Sequence, residues 1–479
     1  VFVPTSWVKF FFWPYLLFLV AVAATVMNPA DPDLWHRLAV GEYLWKTGHF
    51  PTGDTFSYLS DYQNVADHEW GSAVIFYAIY QLAGANAFVG VKLITLAITL
   101  TLLVRAGWGN RRPTPPMMAF YVLVLMALLP SFLSTVRCMV FTHIFFALWL
   151  LWFQRERQGR TVPTLYYVLT MIAWANLHGG FTIGLAWLLA VTFVEMVYRG
   201  HWKKWAVRFG VCTAATLINP FGWQLWISTG RALVTTREGF GEWAPVSWTS
   251  NPMLYPGYKL LVLVVLAIMA VTISRRGRKR IDRPGAVLVG IFLALSLTSA
   301  RHTSLFAVVA GGLMPGFFPK APSVDSMDRP LRRLAYLGVG AALILVPFYT
   351  AFIMLPNLSL KLDRPSAACP VAAVEYLQRQ GVRGKLLVPF NYGSYALWEL
   401  RGKMRVSMDG RYDLVYLPKT YRRVDDFFQG KGDWQSLLTS PSPDAILVPV
   451  LDAVYPKLVA QPGWTEAWQD ADDAVFLPK

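Results

Sequence analysis

The feature that most constrains this chain is a succession of apolar segments, each about as long as a bilayer is thick, separated by short clusters of Lys and Arg. A hydrocarbon core about 30 Å thick takes roughly 20 residues of helix, and fewer where helix ends are buried in protein. Segments of this kind fall at roughly 8–27, 86–105, 117–134, 139–154, 163–178, 182–198, 205–219, 258–274, 285–299, 303–318 and 334–355. They predict a polytopic α-helical membrane protein with about eleven transmembrane helices. A composition of 55% hydrophobic and 15% charged residues is too apolar for an ordinary soluble domain.

The basic clusters set an orientation. With a cytoplasmic N-terminus, "RAGWGNRRP", "RERQGR", "YRGHWKKW", "SRRGRKRIDRP" and "DRPLRR" all lie inside, as the positive-inside rule requires. The net charge of +16 therefore reads as a topology signal, and no nucleic-acid partner is expected. The same alternation puts a first loop (28–85), a second loop (220–257) and everything after about 356 outside. Asp31, Asp33, Glu42, Asp54, Asp61, Asp67 and Glu69 face only Arg37 and Lys46 in the first loop, which agrees with an external face. "FFFWPYLLFLVAVAATVM" after Lys9 resembles a signal peptide. It reads as a retained first span, because no small-residue cleavage site clearly follows and many apolar segments do. Cys138, Cys212 and Cys369 are far apart and odd in number, so no disulfide framework is implied.

Beyond 356 the apolar runs shorten to strand length in "KLLVPF", "MRVSMDG", "AILVPV" and "DAVFLPK", interleaved with helix-like stretches such as "PVAAVEYLQRQG". This predicts a small α/β domain with a mainly parallel sheet over 356–479, following a transmembrane domain over 1–355.

Polar residues gather on the external side. In "NPADPDLWHRLAVGEYLW" Asp33 is expected to cap a helix that Gly48 ends, lying on the membrane surface through Leu34, Leu38, Val40, Leu44 and Trp45. Asp31 has no capping duty in that scheme, which makes it a candidate for chemistry. In "ADHEWGSAVIFYAIYQLAG" Asp67 is placed to cap a second interfacial helix, with Glu69 in its first turn. Caps and helix dipoles account for these acids singly. They do not account for the acid, His and Trp grouping at both ends of the loop, with His36 beside Asp33 and Trp35, and His68 beside Glu69 and Trp70. "WANLHGGF" sets Asn176 and His178 at an outer span end, where a lone His is more often a packing residue. "EGFGEWAP" offers Glu238 and Glu242, which are otherwise ordinary loop acids. Arg137, Arg231, Arg237 and Arg301, with His302, lie outside against the charge rule. An arginine at such depth wants an anion, either a phosphate or a loop carboxylate. No phosphate-binding loop, dinucleotide fingerprint, nucleophile elbow or zincin motif occurs, so a nucleotide-driven reaction is not expected.

In order, "DPDLWHRLAVGEYL", "HEW", "WANLHGG" and "DGRYD" span nearly the whole chain. The pattern resembles the GT-C superfamily of integral-membrane glycosyltransferases, above all bacterial members with such a first loop. The resemblance implies sugar transfer on the external face of a bacterial inner membrane, usually inverting. The donor would be a polyprenyl-phosphate-linked sugar and the acceptor a glycan, lipid or protein. It further implies a first-loop acid, Asp31 or Asp33, as base or metal ligand. Some members hold a divalent Mg or Mn ion with loop carboxylates, for which Asp33, Glu69 and Glu242 are the candidates here; a second D-x-D is lacking. Arg301, Arg137 and His302 suit a donor phosphate, with His178, His36 and His68 as further substrate-binding candidates. Asp409 and Arg411 are candidates for the acceptor side, at a strand end. The competing functions are a lipid-linked-sugar flippase and a non-catalytic assembly subunit on the same scaffold.

Overall fold

The computed structural model describes residues 5–51, 53–62, 65–109, 114–132, 136–235, 241–251, 254–276, 281–318 and 358–479. The expected span at 334–355 and the candidates Arg237 and Glu238 lie outside the described residues. The chain forms two compact units that interleave in sequence instead of meeting at one boundary near 356. The first contains Val1–Asn28, Phe88–Ile218 and Arg237–Lys361; the second contains Pro29–Ala87, Asn219–Thr236 and Leu362–Lys479.

The first unit is helical. Ten of the expected apolar segments lie on helices: Thr5–Thr25, Ala87–Trp108, Pro115–Leu128, Met139–Arg157, Thr164–Leu177, Phe181–Tyr198, Trp202–Ala215, Pro256–Arg276, Arg283–Thr298 and Thr303–Leu313. Among the described residues three stretches are long and apolar enough to cross a membrane on their own, Ala87–Trp108, Phe181–Tyr198 and Pro256–Ser274. Their outer faces expose Ile94 and Ile98, Leu189 and Phe193, and Leu260, Leu263 and Leu266 at helical spacing. Such stripes are a liability in water and well matched to lipid. Thr303–Leu313 is buried at every residue and packs against Pro115–Leu128, Met139–Arg157 and Arg283–Thr298. A helix apolar all round belongs in the middle of a bundle.

The second unit holds a five-stranded sheet in the order β2-β1-β3-β5-β4. Its strands are β1 (Gly384–Leu387), β2 (Met404–Val406), β3 (Ala445–Pro449), β4 (Trp464–Gln469) and β5 (Asp473–Pro478). β1 runs parallel to β2 and β3, while β5 is antiparallel to β3 and β4 to β5. The sheet is therefore mixed, because the short turn between β4 and β5 permits only antiparallel pairing. First-loop residues continue it beyond β2: the Tyr58 N–H donates to the Val406 carbonyl at 3.1 Å, and the Val406 N–H to the Phe56 carbonyl at 3.1 Å. That segment covers a strand edge that would otherwise present unpaired backbone groups.

The Pro32–Thr47 helix departs from the surface helix expected of it. It buries Leu34 through Gly41 without a break, packed between the Trp70–Ala83 and Phe390–Glu399 helices. At the closest approach a Cβ on Gly41 would strike the Ala73 carbonyl oxygen. Gly48 ends the helix as expected, at φ 72° with its N–H on the Leu44 carbonyl.

Candidate functional site

In the second unit the site begins at the start of the Pro32–Thr47 helix. Asp31 is its N-cap: its Oδ1 accepts the Asp33 N–H at 3.0 Å, and the residue is 1% exposed. The expected duties of the two aspartates are thus exchanged. Proline suits the first helical position, where its missing N–H costs nothing, so the cap falls on the residue before Pro32. Asp33 sits in the first turn with its side chain 44% exposed and its Oδ1 4.0 Å from His36 Nδ1.

His36 is buried, and burial, followed by the charge of Arg37, holds its imidazole well below the usual histidine range. It is therefore neutral at pH 7. Its Nδ1 lies 3.2 Å from Ser394 Oγ, and that oxygen accepts the Gly410 N–H at 2.9 Å. Ser394 Oγ thus bridges the imidazole of His36 and the backbone of Gly410. Nε2 is buried with no hydrogen-bond partner among the described residues. A Cβ on Gly410 would fall 2.6 Å from Asp33 Oδ1 and 2.8 Å from His36 Nδ1, so this approach of backbone to side chains requires glycine. The "DPDLWH" and "DGR" motifs, some 370 residues apart, meet here.

Two ion-pair groups brace the same helix and loop. Arg37 reaches Asp67 Oδ2 at 2.6 Å and Glu69 Oε2 at 3.0 Å, and Glu69 Oε1 lies 3.8 Å from His68 Nε2. Asp67 Oδ1 accepts the Glu69 N–H at 2.9 Å. Arg411 donates to Asp409 Oδ1 at 2.8 Å and Oδ2 at 2.6 Å, and to Asp54 Oδ1 and Oδ2 at 3.1 and 3.0 Å. Tyr416 Oη donates to Asp409 Oδ2 at 3.0 Å. Burial works to raise the Asp409 carboxyl, but the Arg411 guanidinium outweighs it and holds the group at about 2. Asp409 and Arg411 therefore lie in a buried triad with Asp54 instead of on an open strand edge.

In the first unit Arg137 Nη1 donates to Glu242 Oε2 at 2.6 Å and Arg301 Nη1 to Glu242 Oε1 at 3.5 Å. The Arg301 guanidinium also lies 4.8 Å from the Trp243 ring centroid. All three ionic side chains are about one-third exposed. Ser299 Oγ donates to the Glu242 carbonyl at 2.9 Å and the Ala300 N–H to the Ala244 carbonyl at 2.8 Å, pinning the two turns together. His302 Nδ1 lies 3.3 Å from Thr298 Oγ1. His178 is buried, and its Nδ1 accepts the Gly180 N–H at 2.9 Å and lies 2.7 Å from Thr142 Oγ1. Thr142 Oγ1 in turn accepts the Trp174 Nε1–H at 2.9 Å. "WANLHGG" is thus a packing knot between two helices.

Glu69 is turned to Arg37, Glu242 to Arg137 and Arg301, and among the described residues no three His, Cys, Asp or Glu side chains form a group suited to a metal ion. Sequence reasoning passed over Ser394, Gly410 as a contact of Asp33, and Arg37 as the hub of the loop. Of these only Arg37 carried a signal, as one of two basic residues among seven acids.

No family model and no curated protein matches this sequence. Solved structures do. Arabinofuranosyltransferase AftD from Mycobacteria superposes with a TM-score of 0.58 at 13% identity, over 100% of this chain and 40% of that one. ArnT from Cupriavidus metallidurans matches in the apo state with a TM-score of 0.58 at 15% identity, over 98% of both chains. ArnT bound to undecaprenyl phosphate gives 0.55 at 14% identity, over 99% of this chain and 98% of that one. The chain spans about two-fifths of the length of AftD. At 13–15% identity these likenesses establish a fold shared with AftD and ArnT.

Proposed function

We propose that this chain is a membrane glycosyltransferase that moves a sugar from a polyprenyl-phosphate-linked donor to an acceptor hydroxyl, with inversion, on the outer face of a bacterial inner membrane. The observation that carries the reading is the meeting of the first-loop and "DGR" motifs around an accessible carboxylate, Asp33, set beside a neutral buried histidine. The ArnT likeness includes a structure bound to undecaprenyl phosphate, which supports a lipid-phosphate donor. In this reading the shorter apolar helices also cross the membrane, making about eleven spans, with the N-terminus inside and the α/β tail outside.

The chemistry follows from the residues. The acceptor hydroxyl must lose a proton as its oxygen attacks the anomeric carbon. Asp33 takes that proton, since it is the exposed member of the aspartate pair. Asp31 holds the start of the helix and so the direction in which Asp33 points. The lipid phosphate leaves with growing negative charge and needs a cationic partner; within the first unit the guanidinium groups of Arg137 and Arg301, both on Glu242, have the chemistry for that role.

The test compares Asp33→Asn with Asp31→Asn in purified protein on a panel of polyprenyl-phosphate sugars. Asparagine caps a helix about as well as aspartate, so Asp31→Asn removes charge and keeps the cap. Asp33→Asn should lose roughly 10²-fold or more in turnover, while Asp31→Asn keeps most of it. Loss confined to Asp31→Asn would move the base to Asp31. A wild type inactive on the whole panel would favour the non-catalytic scaffold.

A further inference from the structure

The α/β unit carries a second concavity that the transfer reaction does not use. After β1 the chain crosses to β2 on one side of the sheet, and after β3 it continues to β4 on the other, so the connections leaving the carboxyl ends of the parallel neighbours β1 and β3 diverge. In open α/β sheets such a switch point leaves a crevice at the carboxyl edge, and ligands bind there. A cavity of about 420 Å³ occupies this place, lined by Phe390 and Asn391 after β1, by Asp452 after β3, and by Tyr421, Asp425 and Lys431 from the neighbouring helix and the turn that follows it. Its volume lies within the range of small-ligand sites, roughly 300–1,000 Å³.

The lining combines aromatic rings with polar side chains. Phe390 and Tyr421 stand edge to face with ring centroids 5.6 Å apart. The same lining holds two carboxylates, an amide and an ammonium, from Asp425, Asp452, Asn391 and Lys431. Lys431 Nζ donates to Gln429 Oε1 at 2.5 Å, and Gln429 Nε2 to Asp425 Oδ2 at 2.5 Å, so donors and acceptors alternate along this edge. Burial and the nearby Asp425 charge raise the Asp452 carboxyl to about 6. A ring face beside alternating acceptors and donors complements a sugar, whose C–H face packs on aromatics while its hydroxyls both give and accept hydrogen bonds.

We infer that the crevice between the carboxyl ends of β1 and β3 is a carbohydrate-binding site for one neutral sugar residue, seated on Phe390 and Tyr421 and held by Asn391, Asp425, Lys431 and Asp452. The site needs no lipid donor and goes beyond the proposed reaction, because it can hold a glycan on the outer face whether or not that glycan is the acceptor.

Saturation-transfer difference NMR and calorimetry on the full chain in nanodiscs test this. The probes are the methyl glycosides of glucose, galactose, mannose and N-acetylglucosamine, with putrescine as a cationic control. At least one glycoside should bind, and Asp452→Asn and Asn391→Ala should each weaken it about tenfold, the scale of one lost hydrogen bond. Binding should persist in Asp33→Asn, which separates this site from the transfer site. Unchanged thermal unfolding of both crevice variants shows that loss of binding is not loss of fold. Absence of binding by every glycoside, binding indifferent to both crevice variants, or binding of putrescine alone would overturn the assignment.

Discussion

At the scale of single residues, the sequence singled out candidate acids, histidines and arginines and misjudged the contacts that several of them make. Asp31 and Asp33 stand two apart, and both read as cap or base; only the backbone at Pro32 decides that Asp31 caps. Asp409 and Arg411 looked like surface groups at a strand end, yet their charges are spent on each other and on Asp54, more than 350 positions earlier. This burial makes a pH prediction. Asp409 is held at about 2 in the folded chain, below the ordinary aspartate value of 3.8. Its contribution to stability is complete above pH 4 and is lost as pH falls through about 2, worth up to about 2 kcal/mol. Thermal unfolding followed from pH 5 to 2 should therefore fall more steeply in wild type than in Asp409→Asn. Parallel slopes would place the acid sensitivity elsewhere.

At the scale of elements, hydrophobic periodicity located the helices well and their surroundings poorly. The Pro32–Thr47 helix has the aromatic and aliphatic residues of a membrane-surface helix, and its existence and its Gly48 stop agree with the sequence. What covers its apolar face is another pair of helices, a choice that composition cannot express because lipid and packed side chains ask for the same residue types. Gly41 is the position where that choice is enforced. Gly41→Val would drive the two helices apart at Ala73 and cost roughly 1–3 kcal/mol. Gly48→Ala, in open space at φ 72°, should cost about 1 kcal/mol through backbone strain alone. Denaturant or thermal titration of the pair checks the order; equal losses would mean that the helix crossing is looser than described.

At the scale of the whole molecule, Glu69 and Glu242, two of the three carboxylates that the resemblance offered as metal ligands, are paired with guanidinium groups. Transfer activity should then be indifferent to EDTA and to added Mn²⁺, measured on the same lipid-linked donor panel. A loss on chelation that Mn²⁺ restores would show that these ion pairs open to take a metal. The two-unit organisation was not legible from the linear boundary near 356, because the second unit is assembled from three separated stretches.

Local information by itself determined the order of apolar helices, the charge pattern of the connections and the short strands of the tail. These follow from periodicity, length and charge, which act between neighbours in the chain. Only the tertiary structure decided that the first loop completes the tail's sheet, that Asp54 neutralises Arg411, and that Gly410 lies against Asp33 and His36. Such pairings are set by side-chain shape and by the need to satisfy buried charge, conditions imposed by residues hundreds of positions away and therefore written in no single stretch of sequence.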